Sequence, residues 1–98
     1  MKLSQEQIRL IQNYFRDKPV FKAYVFGSYV SDHINPNSDI DILVELDYSI
    51  PIGLRFIKMQ YELQELLKHK VDLLTEKAIS KYIRSSIENQ KKLIYERQ

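Results

Sequence analysis

The segment from Val20 to Leu46 reads VFKAYVFGSYVSDHINPNSDIDILVEL, and its two apolar runs decide the fold. The first run, Val20 to Phe26, is aromatic and β-branched, and it stops at Gly27, which predicts a buried strand. The second run, residues 39–46, alternates apolar and polar residues, which predicts a strand with carboxylates at its beginning. Residues 31–38 between them are turn-forming. The sequence therefore predicts two neighbouring strands joined by a polar turn.

Helical patterns flank these two strands. A capping box at Ser4 predicts a helix that runs to about Asp17, ahead of Pro19, and a short strand is predicted over residues 70–74. Residues 91–95 fit either a strand or a helical tail. The apolar stripe Phe56, Met59, Leu63 and Leu66 predicts a second helix over about residues 51–68. A third helix, which ends near Asn89, is predicted from a second stripe formed by Ala78, Ile79, Tyr82, Ile83 and Ile87. The order predicts an α/β (α+β) single domain over residues 1–98, with a small mixed β-sheet flanked by helices.

Composition narrows the class of protein. The 98 residues are 44% hydrophobic and 29% charged, which fits one soluble globular domain. The chain has no cysteine, which excludes disulfides, thiolate metal sites and cysteine nucleophiles. No apolar stretch reaches the roughly 18 residues of a membrane span, and the N-terminus has no signal-type apolar core. We therefore expect a cytoplasmic protein that does not bind membranes.

Charge is unevenly distributed along the chain. The net charge is only +2, but all 15 basic residues lie outside the window from Ala23 to Leu54. That window contains the acidic residues Asp32, Asp39, Asp41, Glu45 and Asp47. Such a block repels phosphate unless a divalent cation lies between them. A solvated acidic strip on the surface is the alternative interpretation.

Candidate chemical groups lie at the ends of the predicted strands. Gly27 and Ser28 follow the first strand, where backbone N–H groups can bind a phosphate. Asp39 and Asp41 are two residues apart, so both carboxylates lie on one face and can share hard cations. Asp72 lies in an apolar strand, where a carboxylate is costly unless it is paired or bound to metal. Each residue also has a structural alternative. Gly27 and Ser28 fit a plain turn, and Asp39 fits a turn cap. Asp41 fits a solvent-facing strand residue, and Asp72 fits an exposed strand edge.

The spacing of these residues resembles a known family signature. Gly27-Ser28, ten residues, then Asp39-Ile40-Asp41 is similar to the Gly-Ser-x10-Asp-x-Asp motif of the DNA polymerase β-like nucleotidyltransferase superfamily. The likeness is closest to its minimal nucleotidyltransferases, the antitoxins of HEPN–MNT toxin–antitoxin pairs. The resemblance implies a nucleotidyltransferase fold, and Asp72 matches the third acid of that family. It also implies that Asp39, Asp41 and Asp72 are catalytic metal ligands and that Gly27 and Ser28 bind the triphosphate.

The same resemblance implies a reaction and a partner. Two Mg²⁺ ions would assist transfer of AMP from ATP, with Asp72 helping to activate the acceptor hydroxyl. We expect the acceptor to be a tyrosine of a HEPN toxin, because so small a domain leaves no segment to enclose a small acceptor. The alternatives are a weakened antitoxin that acts by binding alone and, less favoured, a small-molecule adenylyltransferase.

The chain departs from the family pattern at two positions. Many relatives continue Gly-Ser-x-Ala-Arg-Gly, whereas this chain has Ser31 and Asp32 at the arginine and second glycine positions. The triphosphate would then need positive charge from elsewhere, and Lys77, Lys81 and Arg84 are candidates by helical spacing. A solvated helix face is the alternative interpretation of those three residues.

Two expectations concern the surroundings of the site. Tyr29, beside the candidate turn, either contributes to a partner interface or packs under its own loop. His33 and His69 are expected to face solvent. The acidic window lacks the Lys and Arg contacts that backbone binding requires, so we expect no direct binding of duplex DNA.

Overall fold

The computed structural model describes residues 3–29 and 39–98, apart from the side chain of Ser28, and has a four-stranded mixed sheet. Its helices and strands are α1 (Gln5–Phe15), β1 (Val20–Phe26), β2 (Ile40–Leu46), α2 (Arg55–Leu67), β3 (Val71–Thr75), α3 (Lys81–Gln90) and β4 (Lys92–Glu96). Short 3₁₀ turns follow β1 at Gly27–Tyr29, here called the glycine turn, and β3 at Glu76–Ala78. The predicted fold class and element order are confirmed, and the last segment is a strand.

Local sequence accounts for the helix ends. Ser4 and Gln7 form a complete capping box, in which each side chain accepts a hydrogen bond from the other residue's backbone N–H, at 3.0 and 2.9 Å. The second helix begins at Arg55 and not near Pro51, because Gly53 in this connection adopts a positive φ of 47°. It ends at Lys68, which has the left-handed conformation of a C-terminal cap.

The sheet brings three strand ends together. The strand order is β3-β2-β1-β4, with β1 antiparallel to β2 and β4, and with β2 parallel to β3. Phe26 at the end of β1 pairs with Asp41 near the start of β2, and Asp41 pairs in turn with Asp72 near the start of β3. The end of β1 and the beginnings of β2 and β3 therefore meet at one end of the sheet.

Two apolar clusters cover the sheet. The larger lies under α1 and α2, and its fully buried members include Phe15, Ile42 and Leu63. The smaller lies on the opposite face, where Leu43 packs with Ile87 of α3. Within the part of the chain that is described, no helix is both long and apolar enough to cross a membrane.

Four residues of the predicted apolar stripes are exposed: Leu66, Ala78, Tyr82 and Ile83. Ala78 lies in the 3₁₀ turn before α3 begins. Leu66 is 36% exposed because the sheet-facing positions of α2 are four residues apart, at Met59, Leu63 and Leu67. Tyr82 and Ile83 are 84% and 49% exposed. Their predicted burial is wrong, because α3 itself buries only Ile87 against the sheet.

Glutamine side chains occupy the outer edge of β3. The side-chain carbonyl oxygens of Gln60 and Gln64, one turn apart on α2, accept the backbone N–H groups of Leu73 and Val71 at 3.2 and 3.1 Å. These two N–H groups point away from β2 and would otherwise be open to another strand. Two donors of the edge are thus satisfied within the chain.

Replacing both edge glutamines tests this arrangement. We expect Gln60→Leu with Gln64→Leu to lower the free energy of unfolding by about 1–2 kcal/mol, since two backbone donors lose their acceptors. The double variant should also self-associate through the uncovered edge. Urea denaturation and sedimentation velocity measure the two effects. Gln90→Leu is the control, because Gln90 is exposed and its side-chain amide donates to Ser86 Oγ at 3.4 Å. An equal loss in the control would contradict the expectation.

Candidate functional site

Three carboxylates lie at the end of the sheet where the strands meet. Asp41 and Asp72 are direct partners in the parallel β2–β3 register, so their side chains project side by side from one face. Asp39 precedes Asp41 by two residues, at the entrance to β2. The structure thus places Asp72 on the same face as Asp41, which the proposed catalytic role requires.

Asp41 is the carboxylate whose ionised form the fold disfavours. It is half-buried, and burial, then Asp72 and then Asp39, raises the pKa of its carboxyl to about 6. Asp72 itself is exposed. The predicted cost of burying Asp72 is therefore wrong and the alternative of an exposed strand edge is correct, because β3 is an edge strand and its second residue faces solvent. The desolvation cost lies one strand further in, on Asp41.

The glycine turn lies directly against Asp41. Gly27 has a φ of +75°, and a Cβ added to it would collide with Asp41 Oδ2. Only glycine combines this conformation with so close an approach. The backbone of the candidate phosphate-binding residues Gly27 and Ser28 is therefore held beside a candidate metal ligand. The Ser28 side chain, and the departures at Ser31 and Asp32, lie outside the described residues.

The base nearest these carboxylates in the described structure is one that sequence reasoning missed. Lys70 Nζ lies 3.8 Å from Asp39 Oδ2, and the Lys70 side chain is 75% exposed. Its backbone carbonyl accepts the N–H of Ile40, which fixes the residue at the start of β3. Its position two residues before Asp72 was the available signal. Lys77 is one of the bases proposed from helical spacing, and its Nζ lies over the Tyr48 ring instead, 4.0 Å from the ring centre.

Tyr29 is buried and not part of an exposed interface. It is 8% exposed and belongs to the main apolar cluster, so its proposed place in a partner surface is wrong and the ring packs inside the protein. Its hydroxyl is hydrogen-bonded to His69 Nε2 at 2.6 Å. His69 is consequently half-buried and does not simply face solvent as expected. His33 lies outside the described residues.

The carboxylates have the chemistry of a magnesium site without forming a complete one. In residues 3–29 and 39–98, no three His, Asp or Glu side chains make a ready-made group of metal ligands. Carboxylate oxygens are nevertheless the donors that Mg²⁺ prefers. The raised pKa of Asp41 records burial and a mutual repulsion with Asp72 and Asp39 that a divalent cation would relieve. Asp41 and Asp72, with Asp39 beside them, therefore fit a hard cation.

Comparison with known proteins agrees with this geometry. Residues 8–94 match the family model described as "Nucleotidyltransferase domain". A Methanocaldococcus jannaschii protein named "Putative protein adenylyltransferase MJ1217" is 38% identical over 94 residues, which are 93% of this chain and 92% of that protein.

Solved structures give the same result for the fold. A crystal structure of a toxin–antitoxin with AMP-PNP has a chain that is 25% identical, with a TM-score of 0.73, covering 98% of this chain and 76% of that one. A complex of tri-AMPylated Shewanella oneidensis HEPN toxin with MNT antitoxin gives a TM-score of 0.73 at 23% identity, with 96% and 73% covered. The second similarity concerns the fold alone.

Proposed function

The chain belongs to the nucleotidyltransferase domain family and is a nucleotidyltransferase, and we propose that it transfers AMP from ATP to a tyrosine hydroxyl of a HEPN-type toxin. One observation supports this most directly. Asp41 is placed between its register partner Asp72 and the positive-φ Gly27, so carboxylates and a phosphate-binding backbone lie side by side. A nucleotidyltransferase needs this combination, because charge must be neutralised where the phosphate is held.

Each site residue has a distinct part in the proposed reaction. Asp39, Asp41 and Asp72 would hold Mg²⁺, which when bound supplies positive charge to the attacking and leaving oxygens. The backbone N–H groups of Gly27 and Ser28 would bind the triphosphate. The acceptor oxygen forms a bond to the α-phosphorus, the bond from that phosphorus to the bridging oxygen breaks, and pyrophosphate leaves. Asp72, the exposed carboxylate, would accept the proton of the incoming hydroxyl.

The nature of the acceptor is inferred from exposure and from relatives. Asp72 is exposed and Asp39 is about one-third exposed, so an acceptor can approach the carboxylates from solvent. A tyrosine on a protein surface is long enough to reach such an open site. Structural relatives include a toxin–antitoxin with AMP-PNP and an antitoxin in complex with an AMPylated HEPN toxin. A protein acceptor of the HEPN class is the proposal that these observations support.

The proposal is tested with labelled ATP, Mg²⁺ and a purified HEPN-family toxin from the same organism. We expect AMP to be added to a toxin tyrosine, detected by mass spectrometry, and to be lost in Asp39→Ala. Neutralisation of the toxin by tight binding with no added mass would contradict AMP transfer and support an antitoxin that acts by binding alone.

Lys70 is proposed to supply part of the positive charge that the sequence lacks at Ser31. Its ammonium is exposed and only loosely paired with Asp39, so it can turn to a bound phosphate. We expect Lys70→Ala to raise the KM for ATP about fivefold to tenfold, with a smaller change in kcat. Lys58→Ala is the matched control, since Lys58 is exposed and lies near the start of α2, at the opposite end of that helix from Lys70. Equal KM values in the two variants would refute the role of Lys70.

A further inference from the structure

We propose that the hydrogen bond between Tyr29 and His69 positions the glycine turn for nucleotide binding, a role that rests on the proposed function. Tyr29 is the last residue of the glycine turn, and His69 lies in the connection between α2 and β3. The two residues are 40 positions apart in the chain, and their hydroxyl oxygen and Nε2 are 2.6 Å apart. The bond therefore joins the phosphate-binding side of the site to the segment that leads to Asp72.

Both partners are held by their own surroundings. The Tyr29 ring is buried in the main apolar cluster and meets the His69 ring edge-on, with centroids 5.7 Å apart. The His69 backbone N–H donates to the Gln64 carbonyl at 3.3 Å, directly after the left-handed cap at Lys68. Since neither ring is free to follow the other, the hydrogen bond holds the two segments at a fixed separation.

The glycine turn is consequently fastened at both ends. At its first residue, Gly27 lies against Asp41 of β2. At its last residue, Tyr29 is tied to the segment that continues into Lys70 and Asp72. The candidate groups for phosphate, metal and acceptor therefore share one rigid frame. If the second attachment is lost, the turn can shift relative to β3, and small displacements of a binding group cost much of its effect.

Tyr29→Phe removes the hydroxyl and keeps the buried ring, and Tyr14→Phe is its matched control. The Tyr14 hydroxyl donates to Glu62 Oε1, also at 2.6 Å, and joins α1 to α2 away from the carboxylates. We expect both variants to lose a similar amount of thermal stability. Only Tyr29→Phe should weaken binding of a non-hydrolysable ATP analogue with Mg²⁺, by about tenfold in calorimetric Kd. Faster amide exchange at residues 27 and 28 should accompany that loss.

A double-mutant comparison isolates the pair. His69→Ala should weaken analogue binding as much as Tyr29→Phe, and the two together should be no worse than either alone. His69→Gln, which retains a side-chain hydrogen-bonding group, should recover part of the affinity. Analogue binding in Tyr29→Phe that equals the wild type or the Tyr14→Phe control would overturn the proposal, as would additive losses in the double variant. A wild-type protein that binds the analogue and never transfers AMP would refute the proposed function alone.

Discussion

Asp41→Asn is expected to reduce AMP transfer on the order of 10³-fold while making the metal-free protein more stable at pH 8. Activity is expected to fall because the substitution removes the charge of a proposed metal ligand, and charge stabilisation by a bound metal is worth several kcal/mol at the transition state. Stability rises because the native fold keeps the Asp41 carboxyl half-buried and raises its pKa to about 6. A full shift of that size corresponds to about 3 kcal/mol. Solvent screening of a half-buried group reduces the expected gain to about 1–2 kcal/mol.

The pH dependence has a definite sign. The folded-state pKa of Asp41 is raised, so the protonated carboxyl favours the folded state. This stabilisation is complete below the unfolded pKa of about 4 and is lost as the pH rises through about 6. Urea denaturation of the metal-free wild type between pH 4 and 8 should show this decline, and Asp41→Asn should not.

Asp17→Asn is the control for Asp41→Asn. A hydrogen bond from Lys18, then its charge, lowers the pKa of Asp17, so this substitution should bring no gain in stability. Mg²⁺ should raise the melting temperature of the wild type more than that of Asp41→Asn. Transfer by Asp41→Asn within tenfold of the wild-type rate would contradict the proposal that Asp41 is a metal ligand.

Gly27→Ala is expected to abolish transfer to within about 1% of the wild-type rate and to destabilise the fold. The added methyl group would collide with Asp41 Oδ2, so either the glycine turn or the carboxylate must move. Displacing a positioning group by a fraction of an ångström to 1 Å costs about 10²-fold in rate. A left-handed backbone at a non-glycine residue adds about 1–2 kcal/mol of strain.

The chain contains a matched control for this substitution. Gly53 also has a positive φ, of 47°, but a Cβ added there meets no atom within 4 Å. Gly53→Ala should therefore show the backbone strain alone, about 1 kcal/mol by urea denaturation, with transfer close to the wild-type rate. If both alanine variants lose activity equally, the effect of Gly27 is conformational and its closeness to Asp41 is irrelevant.

Local patterns were sufficient to predict most of the fold. The alternation in residues 39–46 gave β2 its correct boundaries within one residue and placed Asp41 on the face opposite Ile40 and Ile42. Residues 91–95 remained ambiguous, because β4 is held by pairing with β1, about 70 positions earlier in the chain. The exposure of Tyr82 could not be read from spacing either, since it depends on how little of α3 contacts the sheet.

Some features of the candidate site could be predicted from local sequence, and others depend on long-range contacts. Motif spacing was enough to single out Asp39 and Asp41, because a two-residue step is a local property. Asp72 was singled out by its place in an apolar strand and by the family resemblance. The burial of Asp41 depends on its position beside Gly27, and the bond from Tyr29 to His69 links segments 40 residues apart. Such long-range contacts leave no periodic signal in one sequence. Lys70 had a local signal in its position two residues before Asp72, but its pairing with Asp39 joins the beginnings of two parallel strands and could not be predicted from that spacing.

The glutamines along β3 also restrict how a protein partner can be recognised. β-Augmentation, in which a foreign strand extends a sheet, needs free backbone donors along an edge. On β3 the backbone N–H groups of Val71 and Leu73 already donate to the side chains of Gln64 and Gln60. Under the proposed function, a toxin tyrosine that approached Asp72 from this side would therefore have to dock through side-chain contacts, whose specificity depends on sequence. Recognition of that kind would let one antitoxin discriminate its own toxin from others that could offer the same backbone.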